Sequence, residues 1–468
     1  MRINDFLNDN YKDACLKAFE KAQATQEKTN ATITFVDPTA RLEEKLEGKL
    51  KGVAIAVKDN VSTKGVLTTA ASRILDNYIP QYNAHIMDKL EAAGAVMIAK
   101  TNMDELAMGG TNLTSHFGLC RNPYDFNRIS GGSSGGSAAI VAAGVVPCAI
   151  GSDTGDSVRK PASFCGVVGV KPTYGRISRF GVIPYASSLD HVGYFTTNVQ
   201  DAALMLEVLA GRDDRDMTSS NMPVEAYSEL LNSDVKGKKI LVFKNILDAI
   251  SCQETHELFA KVVENLKAKG AIVEEVSFNE DLLRVMLPTY YIIANAEATA
   301  NHSNLDGILF GHQEVGETTD DIMINTRTAG FGPWIKKRFV IGSYALFEEN
   351  QDRLLRKAQK VRRLIVDEIM NKLKDADILL APAAPSVAPE IKGQSTDELS
   401  NESLIADNHM VIANFAGLPS MTVPMGYIND LPIGVNLTAN PFKEQTMFDV
   451  ALAIEEASGL ADAVKEVL

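Results

Sequence analysis

Cysteine is scarce in this chain of 468 residues. The five present (Cys15, Cys120, Cys148, Cys165, Cys252) are odd in number, scattered, and form no Cys-x-x-Cys pair. That argues against a disulfide framework or a cysteine zinc site and fits a reducing compartment. Positive charge is also in short supply: 46 Lys and Arg against 60 Asp and Glu leave a net charge of −14. A binder that neutralises nucleic-acid phosphates over a broad basic face is therefore not expected, although an acidic subunit could work beside a partner that holds the nucleic acid. Long hydrophobic runs are missing as well. The longest uncharged stretch, between Arg128 and Asp153, holds eight Gly and Ser by Ser137, then Gly144 and Pro147. It suits a buried loop and helix, not a membrane span. The opening Met1-Arg2-Ile3-Asn4-Asp5 brings acid early and has no apolar core. Neither a signal peptide nor a mitochondrial transit peptide is expected, and the expected location is cytoplasmic.

What is present is an ordinary globular mixture, 45% hydrophobic and 23% charged. The expected fold is α/β, with a mixed β-sheet core covered by helices on both faces. The organisation expected is one large domain over 1–468, with an N-terminal helical segment over about 1–35 and an inserted or peripheral α/β portion over about 238–380. Alternating charged and apolar residues (Phe6, Leu7, Ala14, Leu16, Phe19) give a helical pattern ending near Thr29-Asn30. An apolar strand over 52–57 runs into Lys58-Asp59-Asn60. A helix over about 84–93, Gly94 as a stop and a strand over 95–99 complete a strand–helix–strand rhythm. Two small-residue loops, 131–137 and 151–157, bracket an apolar segment and mark the centre of the molecule, because small side chains let backbone approach backbone or ligand. Further on come a strand over 239–243, a helix over about 254–269 and a strand over 272–276. A long helical run over about 342–374 leads to a strand at 378–380, and strands near 421–423 and 433–437 precede a helix near 446–457. Residues 393–403 are the best candidate for a mobile surface loop. No repeat with a period of 20–50 residues is present.

Gly132-Ser133-Ser134-Gly135-Gly136 formally matches the Gly-x-Ser-x-Gly nucleophile elbow, which needs a preceding strand, a following helix and a later catalytic histidine. Asn127-Arg128-Ile129-Ser130 reads as loop, and only His191 and His409 among the later histidines lie in apolar surroundings. The elbow reading is therefore disfavoured. A phosphate loop fails because no Gly-Lys-Ser/Thr follows, and a dinucleotide fingerprint fails for want of its strand, helix and acid.

The stronger constellation is Lys58 at the end of its strand, Ser133 in the first loop and Ser157 in the second. With Ala56-Val57-Lys58-Asp59-Asn60, the Gly131–Ser137 loop, the Ser157 loop and Gly166-Val167-Val168-Gly169-Val170-Lys171-Pro172-Thr173, it resembles the amidase signature family from about residue 30 onward. The resemblance implies the amidase signature fold and a Ser-Ser-Lys triad, with Ser157 as nucleophile, Ser133 as bridge and Lys58 as base. It also implies an oxyanion hole from the main-chain N–H groups of Thr154, Gly155, Asp156 and Ser157. The chemistry is coherent: a serine hydroxyl needs a base, a lysine is a base only when neutral, and burial is what lowers its pKa from about 10.4.

Further segments, among them residues 171–181, Ala186-Ser187-Ser188-Leu189-Asp190, Tyr290-Tyr291-Ile292-Ile293-Ala294, Phe331-Gly332 and Asn414-Phe415-Ala416-Gly417-Leu418-Pro419, resemble the family's glutamine-hydrolysing subunits of tRNA-dependent amidotransferases. That resemblance implies glutamine as substrate and ammonia as product, used to convert Glu-tRNA(Gln) to Gln-tRNA(Gln). It implies two further subunits: a tRNA-binding kinase/transamidase that uses ATP and Mg, and a small linker. No cofactor or metal is expected in this chain, and no membrane partner. By position, Arg338 would hold the substrate's α-carboxylate and Asp407 its α-ammonium, while Asp153 and Arg159 organise the loop. The alternatives are a free-standing amidase on a small amide and a non-catalytic scaffold within the same complex.

One residue departs from the family pattern: Asp156 stands where a second glycine is usual. A carboxylate ~6 Å from Lys58, at an effective dielectric of ~20, would favour the ammonium by about 2–3 kcal/mol. Asp156 is therefore expected to point away from the catalytic groups, toward Arg159 or solvent.

Overall fold

The computed structural model describes residues 1–8, 10–392, 400 and 402–467. Its strands, in chain order, are β1 (Thr32–Phe35), β2 (Ala54–Lys58), β3 (Val96–Thr101), β4 (Arg121–Asn122) and β5 (Asp125–Ile129). They continue as β6 (Cys148–Asp153), β7 (Val168–Lys171), β8 (His191–Thr196) and β9 (Lys239–Phe243). The last four are β10 (Ile272–Val276), β11 (Ile378–Pro382), β12 (Ser420–Ile428) and β13 (Leu431–Ala439). Eleven of these form one mixed sheet in the order β1-β3-β2-β6-β8-β7-β12-β13-β11-β9-β10, and β4 pairs only with β5. The α/β expectation holds, with helices flanking the sheet.

Alternation along the strands divides the core in two. Ile240, Val242, Ile378 and Leu380 belong to one apolar cluster, whereas their neighbours Leu241, Phe243, Leu379 and Ala381 belong to the other. Side chains of successive strand residues point to opposite faces, so strands apolar at every position require cover on both.

Most local expectations match. The first long helix is Tyr11–Thr29 and ends at Asn30 in the left-handed region (φ 49°). The last two strands are longer than expected, nine residues each. They are joined by Asn429 and Asp430, both at positive φ, as a tight hairpin with right-handed strand twist demands. Two expectations need correction. The long helical run is broken into Pro333–Leu346, Glu348–Gln351 and Leu355–Leu373. Phe347 turns to an extended conformation there, and Asn350 Nδ2 bonds the Tyr344 carbonyl that a continuing helix would have used. Of Asn127-Arg128-Ile129-Ser130, read as loop, the first three residues lie in β5. Of the expected mobile loop, 393–399 and 401 lie outside the described residues.

Three features of this fold position the site. β2 and β6 are adjacent and parallel, with Val57 opposite Ile150, so Lys58 and Ser152 emerge at the same end of the sheet. The wholly buried helix Gly135–Ala142 (Gly-Gly-Ser-Ala-Ala-Ile-Val-Ala) packs beneath them. The helix Arg159–Cys165 carries the loop after β6 back across β7, β12 and β13.

Candidate active site

Lys58 is fully buried, and its Nζ stands 2.8 Å from Ser133 Oγ, 2.7 Å from Ser134 Oγ and 2.9 Å from Ser152 Oγ. The partners of these hydroxyls decide which way the hydrogens run. Ser134 Oγ donates to the Ser152 carbonyl at 3.0 Å, so toward Lys58 it accepts. Ser152 Oγ accepts from Asn60 Nδ2 at 3.1 Å and from Lys58. Neither Ser133 nor Ser152 has another acceptor for its hydrogen among the described residues, so a neutral Lys58 gives N–H to Ser134 and can take the hydrogen of Ser133 or Ser152 on its lone pair. Burial pushes the Lys58 amine down from 10.5 to about 7, against the pull of the Asp104, Asp153 and Asp190 carboxylates. An amine lowered that far is available as a free base near neutral pH.

The first loop is pinned from below. Asp104 accepts N–H bonds from Thr111 (3.2 Å) and Asn112 (2.9 Å) and the Thr114 hydroxyl (2.8 Å), and its own N–H donates to Ser133 O at 3.1 Å. Gly132 lies directly on that carboxylate. A Cβ there would sit 2.0 Å from Asp104 Oδ2 and 2.7 Å from Thr111 N, so glycine is required for the close approach.

A buried ion pair sets the second loop. Arg159 Nε and Nη2 hold the two Asp153 oxygens at 3.0 and 2.9 Å, with neither side chain exposed. Asn414 joins them, accepting from Arg159 at 2.7 Å and donating to Asp153 at 2.9 Å. Burial opposes the Asp153 charge, but the guanidinium holds it below the ordinary carboxylate range. Between these anchors the carbonyls of Gly155, Asp156 and Ser157 are taken by Arg159 Nη2 (2.7 Å), Lys160 N (2.9 Å) and Ser134 N (3.2 Å). The N–H groups of Gly155, Asp156 and Ser157 donate to nothing among the described residues, leaving donors together in one loop. Thr154 is held by its hydroxyl, which donates to Asp190 at 2.6 Å; burial pushes that carboxyl up to about 6.

Ser133 and Lys58 are thus in direct contact. The structure brings Ser157 beside them through the Ser134 N–H to Ser157 O bond, but its hydroxyl makes no hydrogen bond with Ser133 or any other described residue. The elbow reading gains a preceding strand, β5, and a following helix, Gly135–Ala142, but no histidine bonds Ser134 among the described residues. Ser134 Oγ is committed to Lys58 and Ser152, and His191 and His409 each use Nδ1 on a backbone carbonyl, Leu189 O and Ala406 O.

Arg338 is part-buried and has no carboxylate partner among the described residues. It donates to Tyr185 OH at 3.0 Å and lies over the Tyr185 and Tyr291 rings. Tyr185 in turn donates its N–H to Asp190 and meets Tyr290, whose ring covers Gly155. The chain of contacts from Arg338 to the 154–157 loop is therefore short. Asp407, by contrast, is already engaged by a cation: Lys160 Nζ is 3.1 Å from its Oδ1. A cavity of about 290 Å³ reaches Asn60, Ser152, Thr154, Tyr185 and Asp190 at one end and Arg215 and Thr218 at the other; Lys58, Ser133 and Ser157 do not line it.

Asp156 corrects an expectation in part. It points away from Lys58, but to neither Arg159 nor solvent: its Oδ2 is 2.6 Å from Lys160 Nζ, and the side chain is only 14% exposed. Its φ is not positive, so no glycine-like backbone is required of it. Ser134, Ser152, Asn60, Tyr185, Asp190 and Lys160 were given no role from the sequence. Of these, Asn60, Ser134, Ser152 and Asp190 lie inside motifs already singled out, and their partners come from other elements.

Comparison with known proteins now adds to the geometry. The family model described as Amidase matches residues 13–448. The chain belongs to the amidase signature family. The A subunit of the glutamyl-tRNA(Gln) amidotransferase of Cyanothece sp. is 43% identical over 459 residues, covering 96% of this chain and 94% of that protein. Its counterpart from Geobacillus thermodenitrificans is 41% identical, covering 97% and 94%. The crystal structure of the Thermotoga maritima counterpart superimposes with a TM-score of 0.83 at 37% identity, covering 98% of this chain and 95% of that one.

Two measurements check the geometry of this amidase signature site. Lys58→Ala and Lys58→Arg should both lower amide hydrolysis at least about 100-fold, because arginine supplies charge but no free base. Near-normal turnover in Lys58→Arg would show that the residue contributes only positive charge. Asp156→Gly should change turnover less than about tenfold (~1.4 kcal/mol) and leave the acidic limb of the pH–rate profile in place. A nearby carboxylate would stabilise the ammonium, so a shift of that limb to lower pH by a full unit on its removal would mean Asp156 acts on Lys58 after all.

Proposed function

We propose that the chain is the glutamine-hydrolysing subunit of a tRNA-dependent amidotransferase. The observation that carries this reading is identity above 40%, over nearly the whole chain, to proteins named as the A subunit of glutamyl-tRNA(Gln) amidotransferase. It is supported by a site suited to a free amino acid, where Arg338 offers a guanidinium with no carboxylate partner among the described residues. In this reading Arg338 holds the α-carboxylate and Asp407 the α-ammonium, and the γ-carboxamide lies over Ser157.

Ser157 Oγ attacks the carboxamide carbon as its proton passes to Ser133 and the Ser133 proton passes to Lys58. The oxyanion is met by N–H groups of the 154–157 loop, each donor there being worth about 2.7–4 kcal/mol. Collapse breaks the C–N bond, and the Lys58 proton returns through Ser133 to the leaving nitrogen, giving ammonia and a glutamyl ester. Water then attacks the ester under the same base, releasing glutamate and restoring Ser157. The missing Ser133–Ser157 hydrogen bond is one that substrate closes, as catalytic hydrogen bonds in empty sites often do.

The name of the relatives implies a complex of several subunits. We assign ATP and Mg to a tRNA-binding kinase/transamidase partner that activates Glu-tRNA(Gln), with a small linker subunit completing the assembly. The scaffold alternative loses its motive, since the Asp156 carboxylate that would have disabled Lys58 faces Lys160.

Ser157→Ala should abolish glutamine hydrolysis by the purified complex while amidation continues with external ammonium. A glutamyl ester trapped on Ser133 or Ser134, or loss of the ammonium-supported reaction as well, would refute the assignment.

A further inference from the structure

Lys160 is the second residue of the helix Arg159–Cys165, and its side chain is 8% exposed. All three of its N–H bonds are used in one place: on Asp156 Oδ2 at 2.6 Å, on Asp407 Oδ1 at 3.1 Å and on the Asp407 carbonyl at 2.7 Å. One ammonium therefore fixes Asp407 by side chain and by main chain, and ties it to the loop that carries Ser157. Although burial opposes its charge, the two carboxylates hold the Lys160 ammonium above its ordinary value, so it stays charged. The other charged neighbours cancel, because Arg159 is matched by Asp153. His409 is buried and pushed down to about 4, hence neutral.

Burial raises the Asp156 carboxyl and the Lys160 ammonium opposes that; with both carboxylates ionised, the cluster has one negative charge to spare. The second Asp407 oxygen has no partner among the described residues, and the Asp407 side chain is 44% exposed. The place left for a cation is thus on Asp407, at the open side of the cluster.

We propose that Lys160 is a positioning residue for substrate selection: with Asp156 it holds the Asp407 carboxylate at the height where an amide substrate's α-ammonium must sit. The inference rests on the reading of Asp407 given above and extends it to two residues with no assigned role. Asp156 and Lys160 belong together. Lys160 alone would be matched by Asp407 and leave no negative charge to spare, and without Lys160 two nearby carboxylates would repel and release Asp407 from the Ser157 loop.

The test is steady-state glutamine hydrolysis by the full-length chain, purified with its partners, as wild type, Lys160→Met, Lys160→Arg, Asp156→Asn/Lys160→Met and Asp407→Asn. Lys160→Met should raise KM for glutamine at least tenfold while kcat falls less than threefold, and Lys160→Arg should recover most of the loss by bridging both carboxylates. The double variant removes the orphaned Asp156 charge, so it guards against a fold lost to that charge, and its KM should stay raised because Asp407 is still untethered. A KM within threefold of wild type in the methionine variants, or a kcat loss as large as the KM rise, would overturn the proposal. Asp407→Asn separates the two readings. If it leaves KM unchanged, the ammonium role of Asp407 falls; if it raises KM while the methionine variants do not, only the role of Lys160 falls.

Discussion

A lysine amine can serve as a base near neutral pH only where water cannot stabilise its charged form, and the site is arranged around that constraint. Lys58 ends a strand buried along its whole length, and its nitrogen meets three hydroxyl oxygens, with no carboxylate in contact among the described residues. A carboxylate in contact would fix the ammonium. Hydroxyls satisfy the amine's hydrogen bonds in either protonation state at little electrostatic cost, because each can donate or accept. The acids that do approach are engaged elsewhere: Asp104 on main-chain N–H groups, Asp153 on Arg159, and Asp190 on Thr154 and the Tyr185 N–H.

Those same acids shape the loops. Asp104 seats the one bearing Ser133, Asp153 with Arg159 and Asn414 sets the one bearing Ser157, and Asp190 holds Thr154. Each acid near the lysine is thus also a loop anchor, its carboxylate held by hydrogen bonds or an ion pair to other residues. Asp156 follows the same rule through Lys160, so an acid in the Ser157 loop need not hold the Lys58 amine in its charged form.

Much of this was legible in the sequence, for physical reasons. β2, the helix Tyr11–Thr29 and the unit from β9 to β10 carry their periodicity in consecutive residues. The glycines and serines of 131–137 announce close backbone approach, which Gly132 makes against Asp104. The break at Phe347 was not legible because it depends on where the Asn350 side chain goes, and β5 was missed because its partner is only two residues long. The Asp156–Lys160 pair illustrates the limit best. Its members are four apart on adjoining turns, a spacing that could have suggested contact. Asp407, which gives the pair its meaning, is 247 residues further on.

The most direct test of this account is the ionisation of Lys58 itself. In protein labelled with ¹³C at lysine Cε, an NMR titration should contain a resonance with its midpoint near 7 that is absent from Lys58→Met protein. A Lys58 resonance that titrates near 10, as an ordinary lysine does, would contradict it: the amine would then be charged throughout the working range and could not be the base.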